Sequence, residues 1–240
     1  MAIYVVSDIH GEYDMLLDLL EKIKLKPSDT LYVLGDVLDR GPNPVKTLRK
    51  LKEMPNVVCM AGNHELMALE CLGFLMKEIT EENIQKLDPE MLDGYLLWID
   101  HNGGKTTLDE FMTLGRDEQK QLMEYIKDFL VYEELTVEGN DYLLVHAGLG
   151  RYDPGKAMED YSLRDLVWER AEYDRQYFPD RYVVTGHTPT QFIEGNPNPG
   201  YIYRKNNHIA VDCGAYIPGG RLAAICLDTG EEYYSCSNKR

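Results

Sequence analysis

Aspartates, histidines and one asparagine recur in this chain at short, glycine-flanked sites. Asp8 and His10 lie in Ser-Asp-Ile-His-Gly; Asp36, Asp39 and Arg40 in Gly-Asp-Val-Leu-Asp-Arg-Gly-Pro; Asn63, His64 and Glu65 in Gly-Asn-His-Glu. His146 opens His-Ala-Gly and His187 sits in Gly-His-Thr-Pro. Carboxylate oxygens, a carboxamide oxygen and neutral imidazole nitrogens together suit divalent ions of intermediate hardness, manganese first and iron or zinc next, and give no preference for a thiolate-selected ion. Asp8, His10, Asp36, Asn63, His146 and His187 make six protein ligands. That is too many for one catalytic ion that must keep an open position, and suits two ions sharing a carboxylate. Two such ions, roughly 3.5–4 Å apart, hold a bridging hydroxide and clamp the attacking and leaving oxygens of an in-line phosphoryl displacement.

Three neighbouring groups complete the chemistry. Arg40 offers a planar guanidinium that grips two phosphoryl oxygens at once. His64, next to a candidate ligand, can protonate a leaving alkoxide, and Asp39 can accept from its other ring nitrogen and fix its orientation. A single aspartate or histidine after a strand is usually a cap or turn residue. Here the weight comes from several uncommon motifs occurring in one order. His101 and His208 carry no such motif and read as turn or surface residues, and the 17 tyrosines, with no basic patch between them, read as packing.

Positioning these loops requires strands. Ala2–Val6, Leu31–Leu34 and Val57–Ala61 are apolar runs, each ending in one of the polar loops. Between them lie helical patterns, Met15, Leu16, Leu19, Leu20 and Ile23 in the first and Val45, Leu48 and Leu51 in the second. Strand–loop–helix repetition implies parallel strands with ligands at their carboxyl ends. Strands return at Tyr142–Val145, Tyr182–Thr185 and Ile209–Val211, and a hairpin of Leu222–Leu227 with Glu231–Tyr234 turns at Asp228-Thr229-Gly230. Residues 66–135 differ in being helix-rich and acidic, and read as a helical insert with a solvated surface, its Asn102-Gly103-Gly104 turn being the part that could face the site.

Charge narrows the partners. Of a net −16, residues 66–141 supply −12, from 18 acids against 6 bases. Such acidity argues against binding to nucleic-acid backbones or anionic membranes. No apolar window is long enough to span a bilayer, and the first residues lack the basic and apolar regions of a signal peptide. Five cysteines without a C-x-x-C pair suggest reduced thiols in a cytoplasmic protein. The absence of a P-loop or a usable G-x-G-x-x-G disfavours kinase and dehydrogenase chemistry.

With these motifs assembled, the sequence resembles the calcineurin-like metallophosphoesterases, and among them the phosphoprotein phosphatase group with its bacterial serine/threonine phosphatases and symmetrical diadenosine tetraphosphatases. Ile-Ala-Val-Asp-Cys-Gly-Ala-Tyr (209–216) and Gly-Gly-Arg-Leu (219–222) extend the likeness to the tail. The resemblance implies an α/β fold, a two-sheet sandwich flanked by helices in four layers, formed by one domain over residues 1–240. It implies that Asp8, His10 and Asp36 hold one ion and that Asp36, Asn63, His146 and His187 hold the other, with Asp36 bridging. Asp39 and His64 would form the acid dyad, and Arg40 would bind phosphate. Arg170, in Leu-Val-Trp-Glu-Arg, would be a second phosphate arginine. Ser7 stands where the family commonly has glycine and is expected to matter little; Asp212-Cys213-Gly214 replaces Asp-Thr-Gly.

The expected activity is hydrolysis of phosphoserine or phosphothreonine monoesters without a covalent phosphoenzyme, since no cysteine lies beside an arginine-rich loop. The alternative is symmetrical cleavage of diadenosine tetraphosphate to two ADP. A non-catalytic module binding phosphorylated partners would show a missing ligand or acid, and none is missing.

Overall fold

The computed structural model describes residues 1–77 and 89–239. Two five-stranded mixed sheets pack face to face with helices outside them. The first runs β10-β9-β1-β2-β3, from β1 (Ile3–Val6), β2 (Thr30–Val33), β3 (Val57–Cys59), β9 (Ala223–Cys226) and β10 (Glu232–Tyr234). Its β1, β2 and β3 are parallel, as strand–helix–strand repetition requires, and β9 and β10 add as the expected hairpin, with Glu232 opposite Ile225. The second runs β4-β5-β6-β8-β7, from β4 (Tyr132–Val137), β5 (Asn140–Val145), β6 (Arg181–Thr185), β7 (Tyr203–Lys205) and β8 (His208–Ala210).

Alternation along the strands builds the layers. Val5, Leu34, Met60, Tyr142, Leu144, Val184, Ile209 and Ile225 point between the sheets and form the seam of the sandwich. Their neighbours face outward: Tyr4, Val6, Leu31 and Val33 pack on helices, and Leu143, Val145 and Val183 pack beneath the 149–178 region. Each fully buried Val or Leu of this kind contributes roughly 1.5–3 kcal/mol. Helix α1 (Tyr13–Ile23) buries Met15, Leu16, Leu19 and Ile23, and α2 (Pro44–Lys52) starts on a proline and buries Val45, Leu48 and Leu51.

Helices α3 (Asn63–Leu75), α4 (Pro89–Leu96), α5 (Gly104–Phe111) and α6 (Arg116–Lys127) follow, with a π-helical turn at Leu97–His101 between α4 and α5. The expected helical character at 78–88 lies outside the described residues. At its far end the helix-rich stretch stops earlier than expected, because Tyr132–Leu135 belongs to β4 and pairs antiparallel with Tyr142–Val145. His208 is a second correction. It is buried in β8, its Nε2 donating to the carbonyl of Arg175 at 2.8 Å, with Tyr173 and Tyr177 edge-on to its ring. A short helix, α7 (Leu163–Val167), is capped by Ser162. Among the described residues no helix is long and apolar enough to cross a membrane.

Candidate active site

Strand ends of both sheets bring the sequence-selected residues together. Asp8 and His10 follow β1, Asp36 follows β2, Asn63 and His64 open α3 just after β3, His146 follows β5 and His187 follows β6. All are buried except His187, which is partly exposed. The loops are tight enough that Asp8, His10, Asp36, Asp39, Arg40 and His187 all take positive φ, between 45° and 68°. Left-handed backbone costs a non-glycine residue on the order of 1–3 kcal/mol, so the surrounding sandwich holds this geometry against strain. Gly62 is needed for close approach: a Cβ there would lie 2.1 Å from Asp36 Oδ1.

Glu65 is what ties two of the loops together. Its buried carboxylate accepts from the main-chain N–H groups of Asp36 (2.7 Å), Val37 (2.9 Å), Leu38 (3.2 Å) and Gly62 (3.0 Å). It therefore shapes the Asp36 loop and caps α3.

The imidazoles are oriented by their backs. His10 donates Nδ1–H to Leu38 O at 2.8 Å, and His146 donates Nδ1–H to Leu34 O at 2.6 Å. Each is left with an Nε2 lone pair aimed inward. His146 Nε2 then faces Asn63 Oδ1 at 3.2 Å and Asp36 Oδ1 at 3.5 Å, so that three atoms able to ligate a metal converge. Asp36 Oδ2 lies 3.6 Å from His10 Nε2, and Asp8 Oδ1 lies 4.0 Å from the same nitrogen. His187 Nδ1 is 3.0 Å from Asn63 Oδ1. Converging acceptors of this kind are what a cation satisfies, so the donor set fits two divalent ions meeting at Asp36. Among the described residues, two three-residue groupings have ligand atoms within 4.8 Å of one another, one of His10, Asp36 and His64 and one of Asp36, His146 and His187.

Electrostatics agree. Burial, reinforced by the charges of Asp8 and Glu65, pushes the Asp36 carboxyl well above the usual carboxylate range. Burial followed by the Asp8 charge does the same to Asp212, another buried acid of the site. Burial and the Arg40 guanidinium hold His10 well below the ordinary imidazole value, and burial with His146 and Arg170 brings His187 down to about 2. Neutral imidazoles are the form that ligates.

His64 stands apart from the ligand set in its partners. Its Nδ1 meets Asp39 Oδ2 at 2.7 Å, and its Nε2 accepts from Arg40 Nη2 at 2.9 Å. Arg40 Nη1 also donates to His10 Nε2 at 3.0 Å. Arg170 is placed differently: exposed, on the wall of a groove of about 500 Å³ shared with Thr188, Phe192 and Glu194. On another side, Met67, Cys71 and Phe74 of α3, with Tyr95 and Trp168, line an apolar cavity of about 460 Å³.

Besides Glu65, four contributors were not assigned a role from sequence. The Tyr216 ring lies 4.1 Å from the Arg40 guanidinium carbon and edge-on to His10. The Ser7 hydroxyl bonds to Asp8 Oδ2, as does the His187 N–H, so this residue does touch a site carboxylate. Trp98 and Thr107 hydrogen-bond Asp39 from the helical region, and Gly103 O accepts the Arg40 N–H at 3.0 Å, so the 102–104 turn does face the site. Only the small-residue turn at 102–104 signalled any of this in the sequence.

The profile described as calcineurin-like phosphoesterase matches residues 1–194. Serine/threonine-protein phosphatase 2 of Salmonella typhimurium is 28% identical over 220 residues, 90% of this chain and 89% of that protein. The symmetrical bis(5'-nucleosyl)-tetraphosphatase of Salmonella paratyphi B is 33% identical over 102 residues, 41% of this chain and 36% of that protein. Among solved structures, one described as a candidate diadenosine tetraphosphatase superposes with TM-score 0.67 at 18% identity, covering 100% of this chain and 95% of that one. A serine/threonine phosphatase of Saccharomyces cerevisiae gives TM-score 0.55 at 16% identity, covering 99% and 81%. At those identities the structures speak for the shared sandwich alone.

Proposed function

The chain belongs to the calcineurin-like phosphoesterases, metal-dependent hydrolases built around a dinuclear centre, and from that membership we propose that it hydrolyses phosphoserine and phosphothreonine monoesters. One observation carries the choice of substrate: the likeness that runs along nearly the whole chain is to a serine/threonine-protein phosphatase. In this reading Asp8, His10 and Asp36 hold one ion, and Asp36, Asn63, His146 and His187 hold the other, with manganese the metal to try first. When bound, the pair supplies an activated oxygen nucleophile at neutral pH and neutralises charge on the phosphoryl group.

The rest is done by the chain. Arg40 now donates to the Nε2 atoms of His10 and His64. Phosphoryl oxygens are stronger, charged acceptors for the same fork, so substrate draws the guanidinium off the imidazoles and frees His64 Nε2. His64, aimed by Asp39 through Nδ1, takes up a proton from solvent at the freed Nε2, and the imidazolium so formed passes that proton to the departing alkoxide. Arg170, at the exposed rim, steers phosphate inward. Residues 1–240 act as one catalytic domain, with the helical segment an insert that shapes the approach of substrate. The free cysteines, four of them buried, suit a reducing compartment such as the cytoplasm.

A second reading, symmetrical cleavage of diadenosine tetraphosphate, draws on the higher identity of the shorter match. Product analysis decides between them: a phosphoserine peptide and diadenosine tetraphosphate are supplied in parallel with manganese. Phosphate released mainly from the peptide is the expected result, and ADP formed mainly from the dinucleotide would overturn it.

A further inference from the structure

The Asp39 carboxylate is fully buried, yet its side chain is bonded from three directions. Oδ2 meets His64 Nδ1 at 2.7 Å and accepts the indole N–H of Trp98 at 2.7 Å. Oδ1 accepts the Thr107 hydroxyl at 2.5 Å, while that hydroxyl oxygen accepts the Asp39 main-chain N–H at 2.9 Å. Both partners are buried, at 0% and 1% exposure, and neither is one of the six metal donors. Their own positions are constrained in turn. Trp98 sits in the π-helical turn, a distortion found often at functional sites. Gly104 packs flat against its indole, where a Cβ would come within 2.3–2.5 Å of the ring.

A carboxylate torsion is broad and two-fold, so one hydrogen bond to His64 would not fix its plane. Donors on separate oxygens do fix it, and with it the direction in which His64 Nε2 points. We propose that Trp98 and Thr107 are positioning residues for the general acid: by locking both oxygens of Asp39 from the helical arm of 98–107, they aim His64 at the leaving oxygen. A tryptophan and a threonine serving packing alone would have no need of a buried carboxylate between them, since burying one without dedicated partners is costly.

The inference rests on the acid role of His64, and leaving-group dependence separates the two. A poor alkoxide leaving group needs the proton; para-nitrophenolate does not. Trp98→Phe, Thr107→Val, Thr107→Ser and His64→Asn are assayed with manganese on a phosphoserine peptide and on para-nitrophenyl phosphate, with metal content and Tm measured for each. Trp98→Phe and Thr107→Val are expected to lower kcat about 10- to 100-fold on the peptide and less than about threefold on the aryl ester. Thr107→Ser, which keeps the hydroxyl, is expected to stay near wild type on both. Equal losses on the two substrates, or no loss, while His64→Asn remains skewed toward the peptide, would overturn the positioning role alone. An unskewed His64→Asn would overturn the acid reading and this inference with it. Should Trp98→Phe fail to fold, the Thr107→Val and Thr107→Ser pair decides.

Discussion

The strand-end rim and the helical arm that touches it solve the same problem in different ways. On the rim, six proposed donors arrive at strand ends, their spacing set by the sandwich and by Glu65, which ties the Asp36 loop to Gly62. Asp39 and Arg40 lie on one of those loops, yet they are secured by Trp98 and Thr107, 59 and 68 positions further along the chain than Asp39, and by the Gly103 carbonyl. In the proposed reading, metal holding belongs to the strand ends, whereas proton delivery and phosphate gripping depend on a region that packs against them. The two should respond separately to mutation.

Asp36→Asn attacks the rim at its shared ligand. Metal content should fall for both ions and turnover on every substrate by roughly a thousandfold or more; unchanged content would break the bridging assignment. His64→Asn attacks the arm's target. It should retain metal and lose about 10²–10⁴ in kcat on alkyl phosphates, the range for a lost general acid. Gly103→Ala tests the arm's hold on Arg40, because φ is +77° and a Cβ would fall 2.9 Å from the Arg40 backbone and Cγ. A rise in KM of about tenfold with a smaller change in kcat is expected, the cost of misplacing one charged hydrogen-bonding group. Unchanged kinetics would show that the arginine is set by Tyr216 and the imidazoles instead.

The smallest effect concerns stability. Folding lowers His187 from 6.5 to about 2, so below pH 6.5 the unfolded chain takes up a proton that the folded chain refuses. In metal-free protein the contribution vanishes above pH 6.5 and turns unfavourable below it, by about 1.4 kcal/mol per pH unit. Urea titrations at pH 5 and 6 should show a slope difference near that size between wild type and His187→Asn; parallel slopes would place the proton elsewhere.

This contrast also explains what could be read without a structure. The convergence of the rim residues was legible because each sits in a glycine-flanked loop after an apolar run. The parallel order of β1, β2 and β3 and the final hairpin followed from the same runs. Strand β4 was hidden because Glu133 and Glu134 interrupt it within an acidic stretch, and β7 because Tyr203–Lys205 is short and mostly exposed. His208 looked like a surface residue among asparagines; its burial depends on Tyr173 and Tyr177, which only the tertiary fold brings beside it. Trp98, Thr107 and Tyr216 were illegible for the same reason, since each acts across a contact between distant segments.

Everything proposed for the site turns on a dinuclear centre that hydrolysis needs. Calorimetric titration of manganese into chelator-stripped protein, with hydrolysis of para-nitrophenyl phosphate followed in the same samples, tests it most directly. Two ions bound per chain, with turnover that appears only as they bind, are the expected result. A single binding site, or full turnover in the stripped protein, would contradict it.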